Sequence, residues 1–238
     1  IAYITAYLKA HYPIEFMAAL LSGDIPGRNF KKKDALVEHL EDCRRMNIEI
    51  VPPDVNRSEG DFIVSEGKIV FGLKAIKGCG GPASAAIVAE RQAGGPFRSI
   101  FDFCERVDPL VANRATLETL VKAGAFDSLG ARRAQLSAVV EKAVQAGAAA
   151  VADRRAGQKG LFDADDDEPA AVGAASGSLP DVPEWEERQR LSNEKEVLGF
   201  YITSHPLAEH EATLKTFCTH NSGSMPELQH RTEIWLGG

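Results

Sequence analysis

The chain has 238 residues, of which 44% are hydrophobic and 26% are charged, and its formal net charge is −7. This composition is ordinary for a soluble globular protein of one or two domains. No run of about 18 apolar residues is present, which excludes a membrane-spanning helix. The four cysteines form no C-x-x-C pair and have no histidine at zinc-like spacing, so we expect free thiols and no metal site.

The charge is unevenly distributed along the chain. Residues 71–160 hold 13 Lys and Arg against 8 Asp and Glu, a net charge of +5, whereas residues 161–196 hold 3 against 11, a net charge of −8. A mildly basic module is therefore followed by an acidic tract. A basic patch of this size can contact nucleic-acid phosphates, although such an excess can also be a solvated face.

The first 72 residues predict helices followed by a small β-hairpin. Apolar residues at helical spacing predict a helix over 3–22, which Pro13 interrupts, and a second helix over 30–46. Residues 48–51 are a short β-branched run. Two further apolar runs flank Ser65-Glu66-Gly67 and predict the hairpin.

The remainder predicts a helical block, a linker and a new domain. Residues 73–145 are expected to be mostly helical. Residues 147–182 are rich in Ala, Gly and Asp and poor in aromatic residues, so they predict a flexible linker. A helix is expected over 183–199. Residues 201–238 resemble the approach to a β domain, with a strand over 232–236.

The most informative local pattern is the glycine-rich segment 72–83, GLKAIKGCGGPA. We predict a short helix that ends at Gly78, a tight turn at Gly80 and Gly81, and a new helix that begins at Pro82. The turn amides and the N-terminus of the second helix would then point at one spot, which attracts a phosphate. Lys77 could add a charge-assisted contact. A plain helix-turn-helix connection, in which glycine serves only steric needs, is the alternative.

A second, degenerate copy of this pattern follows. Residues 117–122 predict a helix, Ala123-Gly124-Ala125-Phe126 a turn, and a helix resumes near Arg132. Gly124 stands where the first copy has paired glycines. We therefore expect the second turn to pack against the first copy, as a four-helix double unit, and phosphate binding there stays an open question.

Six segments, in the same order, resemble the replicative DNA polymerase III alpha subunit of bacteria, a C-family DNA polymerase. They are YLKAHYPIEFMAALLS (7–22), CRRMNIEIVPPDVNRSEGDFIV (43–64), IVFGLKAIKGCG (69–80), GGPFRSIFDFCERVD (94–108), NRATLETLVKAGAFDSLG (113–130) and EKEVLGFYITSHPL (194–207). The resemblance covers well over half of the chain. It identifies the chain as a carboxy-terminal piece of such an enzyme, an interpretation that also fits its start at Ile1.

The resemblance implies a mainly α fold in four parts. Residues 1–65 would be the helical end of the fingers region with its small β-hairpin. Residues 66–146 would be a tandem helix-hairpin-helix domain that holds duplex DNA. Residues 147–182 would be the flexible acidic linker, and residues 183–238 a connecting helix and the start of an OB-fold. The family's catalytic carboxylates lie in an upstream palm domain and hold Mg²⁺, so no catalytic residue, metal site or cofactor is expected in this chain.

The linker contains a short motif, Gln158-Lys159-Gly160-Leu161-Phe162. Its Gln-x-x-Leu-Phe pattern resembles the peptide by which bacterial polymerases bind the sliding clamp. Leu161 and Phe162 would enter an apolar pocket, while Gln158 would hydrogen-bond at the rim. Two large apolar residues in a polar linker favour a partner; in the alternative, both fold back onto the helical domain.

These patterns together predict part of a DNA-templated DNA polymerase of chromosomal replication, located in the cytoplasm. The segment would grip primer-template DNA through Lys77, Gly78, Gly80 and Gly81 and would bind the clamp through Gln158, Leu161 and Phe162. It would work beside other replicase subunits and would be inactive alone. Two alternatives are a non-enzymatic helix-hairpin-helix adaptor of DNA repair and the error-prone relative of the same polymerase family.

Overall fold

The computed structural model describes residues 2–25, 35–155, 179–204, 206–220 and 233–236. Two compact units divide the chain, one over residues 1–202 and the other over residues 203–238. In the described part of the chain, none of the helices is both long enough and apolar enough to cross a membrane.

The first unit opens with three helices, α1 (Ala2–His11), α2 (Pro13–Gly23) and α3 (Ala35–Arg45). Pro13 occupies the first turn of α2, where its fixed φ is favourable, so the predicted interruption is confirmed. Helix α2 buries Met17 and Leu21, whereas α1 buries none of its residues. The predicted apolar face of α1 is therefore exposed, because this helix packs along α2 and no farther into the core.

A small three-stranded sheet follows, made of β1 (Ile50–Val51), β2 (Ile63–Ser65) and β3 (Lys68–Val70). Strand β3 lies in the middle, parallel to β1 and antiparallel to β2. Glu66 and Gly67 both have positive φ, 53° and 73°, as a two-residue hairpin turn requires. The predicted hairpin is confirmed, and its pairing of Ser65 with Lys68 crosses the predicted domain boundary at 65/66.

In the residues that the structure describes, the helical block consists of two short 3-10 helices and five α-helices. The 3-10 helices span Leu73–Ala75 and Asp127–Leu129. The α-helices are α4 (Gly81–Gly94), α5 (Ile100–Arg106), α6 (Arg114–Lys122), α7 (Arg133–Arg155) and α8 (Glu187–Leu198). The mainly α fold is thus confirmed.

Helix α7 continues nine residues beyond residue 146, into the predicted linker. The extension is rich in alanine, the residue with the highest helix propensity. It is also held by packing, because α7 lies along α5, and Gly147 directly faces the main chain of Cys104. The linker prediction rested on the low aromatic content of the segment and took account of neither the helix propensity of alanine nor this packing.

One hydrophobic core joins the amino-terminal helices, the sheet and the hairpin helices. Buried phenylalanines form two separate groups of ring contacts within it, and in the first the ring centres of Phe62 and Phe71 lie 4.8 Å apart. Phe97 and Phe103 lie 4.9 Å apart, and Phe103 and Phe126 lie 5.2 Å apart. The fully buried position of Phe126 binds the second turn tightly to this core.

The four cysteines are free, as predicted, and three of them are buried. Burial raises the pKa of Cys79 to about 12 and, with the charge of Glu105, that of Cys104 also to about 12. Burial, together with the charge of Asp42, raises the pKa of Cys43 to about 11. These thiols therefore stay protonated and unreactive near neutral pH.

The second unit contains a 3-10 helix, Ala208–His210, and α9, Glu211–Phe217. The strand predicted over 232–236 is absent from residues 233–236, the part of it that the structure describes. Trp235 exchanges two hydrogen bonds with Thr219, through N–H to Oγ1 and O to N–H, each at 3.1 Å. Only one of these two bonds joins two backbone groups, so residues 233–236 form no strand ladder with Thr219, although their sequence predicted a strand.

Candidate nucleic-acid interface

The first hairpin turn is set by Gly78. The 3-10 helix before it leads into a turn that the Cys79 amide closes by donating to the Ile76 carbonyl at 3.0 Å. Gly78 has φ +91°, a conformation that residues with a Cβ rarely adopt. Cys79 then points into the core while Lys77 and Gly78 stay exposed. The positive φ therefore lies at Gly78 and not at the predicted glycine pair.

Gly80 and Gly81 form the start of α4. Gly80 is the N-cap, with φ −69° and ψ 179°, and Pro82 lies in the first turn. The Gly80 carbonyl accepts a hydrogen bond from the Ser84 amide at 3.0 Å, which is the first backbone hydrogen bond of the helix. No side chain caps this N-terminus, which leaves its first amides to water or a ligand.

The backbone amides of Gly78, Gly80 and Gly81 have no acceptor within the described part of the chain. All three glycines are exposed. A Cβ built on Gly81 would meet nothing within 4 Å, and one built on Gly80 would meet only Pro82, at 3.9 Å. These amides therefore face open space at the positive end of the α4 dipole, an arrangement that suits an anion.

Lys77 is exposed beside this turn, and its main chain is fixed by α8. Its backbone amide donates to the carbonyl of Val197 at 2.9 Å. The hairpin and the end of α8 are thus joined directly, although they are far apart in the sequence. The structure brings together the four predicted phosphate-binding residues Lys77, Gly78, Gly80 and Gly81 on one exposed turn.

Helices α6 and α8 add three residues that the sequence reasoning missed. Thr119 presents its hydroxyl oxygen 3.4 Å from the position of a Cβ on Gly78. Lys122 forms an ion pair with Glu196, with 2.9 Å between Nζ and Oε2. The hydrogen bond from Lys122 and its charge lower the pKa of Glu196, and the charge of Lys77 adds to this effect. No local pattern joins these residues, so only the fold reveals them.

The second turn has the opposite character. The amide of Gly124 donates to Val121 O at 3.0 Å, and that of Ala125 donates to Leu120 O at 2.9 Å. With φ +78° at Gly124, this is the Schellman arrangement that closes a helix C-terminus. Residues 123–126 are all buried. Both amides are already satisfied within the protein, so this turn serves packing.

Arg133 fills the space beneath the second turn. Its guanidinium lies so close to Gly124 that a Cβ there would fall 2.2 Å from Nη2. It bonds to Asp127 at 2.7 Å and to Glu194 of α8 at 2.8 Å. Burial lowers the pKa of Arg133, but these two carboxylates outweigh it and the net shift is upward. The arginine stays charged and links the turn to α8.

Gln158, Leu161 and Phe162 lie outside the described residues, so the clamp motif stays a prediction. The described chain reaches Arg155 at the end of α7 and resumes at residue 179. Among the residues placed by the structure, no group of three or more His, Cys, Asp or Glu side chains could hold a metal ion.

Comparison with known proteins supports the helix-hairpin-helix interpretation of the two turns. A family profile described as "Helix-hairpin-helix motif" matches residues 47–136, which include both turns. DNA polymerase III subunit alpha of Caulobacter vibrioides is 41% identical over 209 residues, 88% of this chain and 17% of the relative. The corresponding subunit of Neisseria meningitidis is 42% identical over 100% of the chain and 20% of its own length. That of Thermus aquaticus is 43% identical over 100% of the chain and 18% of its own length.

The chain thus spans about a fifth of the length of these relatives. The resemblance found in six separate segments is confirmed as one continuous similarity at about 40% identity. We conclude that the chain is similar, along most of its length, to a segment of DNA polymerase III subunit alpha, and that its residues 47–136 match a helix-hairpin-helix motif.

Proposed function

We propose that this chain grips duplex DNA through its phosphates, as part of a DNA-templated DNA polymerase of chromosomal replication. The observation that carries the proposal is the exposed turn at residues 78–81, whose three glycine amides have no acceptor within the described part of the chain. Lys77 supplies a positive charge beside them. Because phosphates and not base edges would be contacted, binding would be independent of sequence.

Gly80→Val tests this contact without disturbing the fold. The backbone at Gly80 is extended, and the space around its Cβ is open, so valine fits the free protein. The added side chain would hold a phosphate away from the amides, and we expect duplex affinity to fall about tenfold at low salt. Ala85→Val, at an exposed position of α4, is the matched control and should bind as the wild type does.

Binding would be measured by fluorescence anisotropy with duplexes of two unrelated sequences over a range of NaCl concentrations. Both sequences should bind equally, and affinity should fall steeply with salt. A folded Gly80→Val variant with wild-type affinity would exclude the turn from the DNA contact.

We further propose that the whole protein is a DNA-directed DNA polymerase, a nucleotidyltransferase that uses Mg²⁺ in its palm domain. The names of the relatives support this over a repair adaptor. The 238-residue chain alone should extend no primer when it is incubated with primed template, the four dNTPs and Mg²⁺. Incorporation above a no-protein control would contradict this assignment of roles.

A third proposal concerns the sliding clamp. Gln158, Leu161 and Phe162 would bind it and so raise the effective concentration of the enzyme at the primer end. Replacing both Leu161 and Phe162 with alanine should abolish binding to a purified bacterial sliding clamp. Replacing Asp165 and Asp166 with alanine, in the same segment, should not. Binding retained by the Leu161/Phe162 variant would point to a different tether.

The remaining parts of the proposal extend to the rest of the replicase. We propose that residues 183–238 lead into an OB-fold, that other replicase subunits are partners, and that the protein acts in the cytoplasm. Expressing a longer gene product that continues beyond residue 238 and solving its structure would test the OB-fold directly. A helical domain at that place would refute it.

A further inference from the structure

The ion pair of Lys122 and Glu196 lies at the edge of the exposed turn. Its partners come from different helices, α6 and α8, and the Nζ–Oε2 distance is 2.9 Å. The next residue of α8, Val197, accepts the backbone amide of Lys77 at 2.9 Å. This bond fixes the end of α8 against the hairpin, so the carboxylate of Glu196 is held near both lysines.

The same helix α6 reaches the turn itself. Thr119, which precedes Lys122 by one helical turn, has its hydroxyl 3.4 Å from the Cβ position of Gly78. Residues three apart on a helix lie on one face. Lys122 is therefore placed on the side of α6 that borders the candidate phosphate site.

The ion pair is weak enough to be exchanged. The side chain of Glu196 is 58% exposed and that of Lys122 is 32% exposed. Solvent-exposed pairs of this kind contribute little to stability, since water and salt screen them. A DNA phosphate approaching the turn could thus replace the carboxylate as the partner of Lys122.

We propose that Lys122 is a further phosphate-binding residue, and that Glu196 occupies it in the free protein and competes with DNA for it. The inference rests on the proposed grip of duplex DNA by the turn at residues 78–81. Glu196 then moderates affinity: it keeps one positive charge of the site neutralised until a phosphate displaces it. A polymerase that must move along its template would gain from such a moderated, exchangeable contact.

Neutralising the carboxylate tests the inference. Glu196→Gln should tighten duplex binding about fivefold at low salt, because Lys122 no longer has to give up a carboxylate partner before it binds the phosphate. The gain should shrink as the salt concentration rises, because salt screens the Lys122–Glu196 ion pair that competes with DNA in the wild type. Glu41→Gln on α3 removes the same charge from another exposed ion pair and should change affinity less than about twofold.

A double-mutant cycle assigns the effect to Lys122. Lys122→Gln alone should weaken binding, and adding Glu196→Gln to it should give no further gain. Glu196→Ala serves as a second variant, and circular dichroism would verify that each protein is folded. All measurements use the 238-residue chain and a fluorescein-labelled duplex.

The outcomes separate this inference from the proposed function. If Gly80→Val binds duplex more weakly than the wild type, but Glu196→Gln and Glu196→Ala bind no tighter than the wild type, then DNA binding by the turn is supported and competition by Glu196 is refuted. An equal gain from Glu41→Gln, or a gain that persists without Lys122, refutes it as well. If the wild type binds no duplex at low salt, both hypotheses are refuted: DNA binding by the turn and competition by Glu196.

Discussion

Replacing Gly147 with alanine should destabilise the protein, although the same change stabilises most helices. Gly147 lies inside α7 where this helix runs along α5. An ideal Cβ at Gly147 would fall 2.4 Å from the carbonyl oxygen of Cys104 and 2.7 Å from its carbonyl carbon. Both partners are backbone atoms, so neither can rotate away, and the two helices would have to separate by about 1 Å.

The magnitude follows from two opposing effects. Alanine gains about 1 kcal/mol over glycine in a helix interior. Forcing an extra methyl group into a packed interface costs about 1–3 kcal/mol, and a contact with rigid backbone belongs at the upper end. We therefore expect a net loss of about 1–2 kcal/mol in the free energy of unfolding. For a chain of this size, that loss lowers Tm by about 2–8 °C.

Thermal unfolding followed by far-UV circular dichroism measures the effect. The control is Ala148→Gly at the exposed neighbouring position, which should lose about 1 kcal/mol from helix propensity alone. If Gly147→Ala instead raises Tm by as much as Ala148→Gly lowers it, propensity alone governs this region. The close approach of α7 and α5 at Gly147 would then be refuted, whereas the helical conformation of residues 147 and 148 would be supported.

Three further predictions test the core and the thiols. Glu194→Gln should lower the free energy of unfolding by about 2–3 kcal/mol in a denaturant titration, because it breaks a fully buried ion pair and leaves Asp127, which lies at the surface, as the carboxylate partner of Arg133. A loss below about 0.5 kcal/mol would contradict this. Asn56→Ala should lower the free energy of unfolding by about 2 kcal/mol, because the side-chain amide of Asn56 forms two hydrogen bonds with the backbone of Phe97, at 2.7 and 2.9 Å. An unchanged midpoint of denaturant unfolding would disprove this. Iodoacetamide at about pH 8 should modify the half-buried Cys218 first. Cys43, Cys79 and Cys104 are buried, and their raised pKa values, about 11 to 12, keep them protonated at that pH. Mass spectrometry that showed faster labelling of a buried thiol would refute this.

The sequence was a good guide where local chemistry decides the structure. Pro13 ends one helix and begins another because its ring fixes φ and removes a donor. Glu66 and Gly67 form the hairpin turn between two short apolar runs. The exposed turn at residues 78–81 was predicted for the same reason, since glycines followed by proline describe a turn and a helix start within a few residues.

The sequence was a poor guide where contacts between distant residues decide. Composition predicted a linker from residue 147 onward, yet packing of Gly147 on α5 and alanine propensity extend α7 to Arg155. Lys122 and Glu196, which form an ion pair near the turn, lie on helices that no local periodicity relates to it. The buried bond of Arg133 to Glu194 was equally hidden, because both residues look like ordinary surface charges in a helical pattern.

The two turns share a positive-φ glycine but have opposite roles, and helix α8 explains how both are maintained. The second turn is closed by its own hydrogen bonds and by Arg133, which Glu194 of α8 anchors from within the core. The first turn stays open, and α8 holds it only from behind, through the carbonyl of Val197. One helical turn of α8 thus fixes a structural turn and positions the exposed turn that we propose to bind phosphate. A rigid support behind free amides is what a phosphate site needs, since amides held in place lose little entropy when the anion binds.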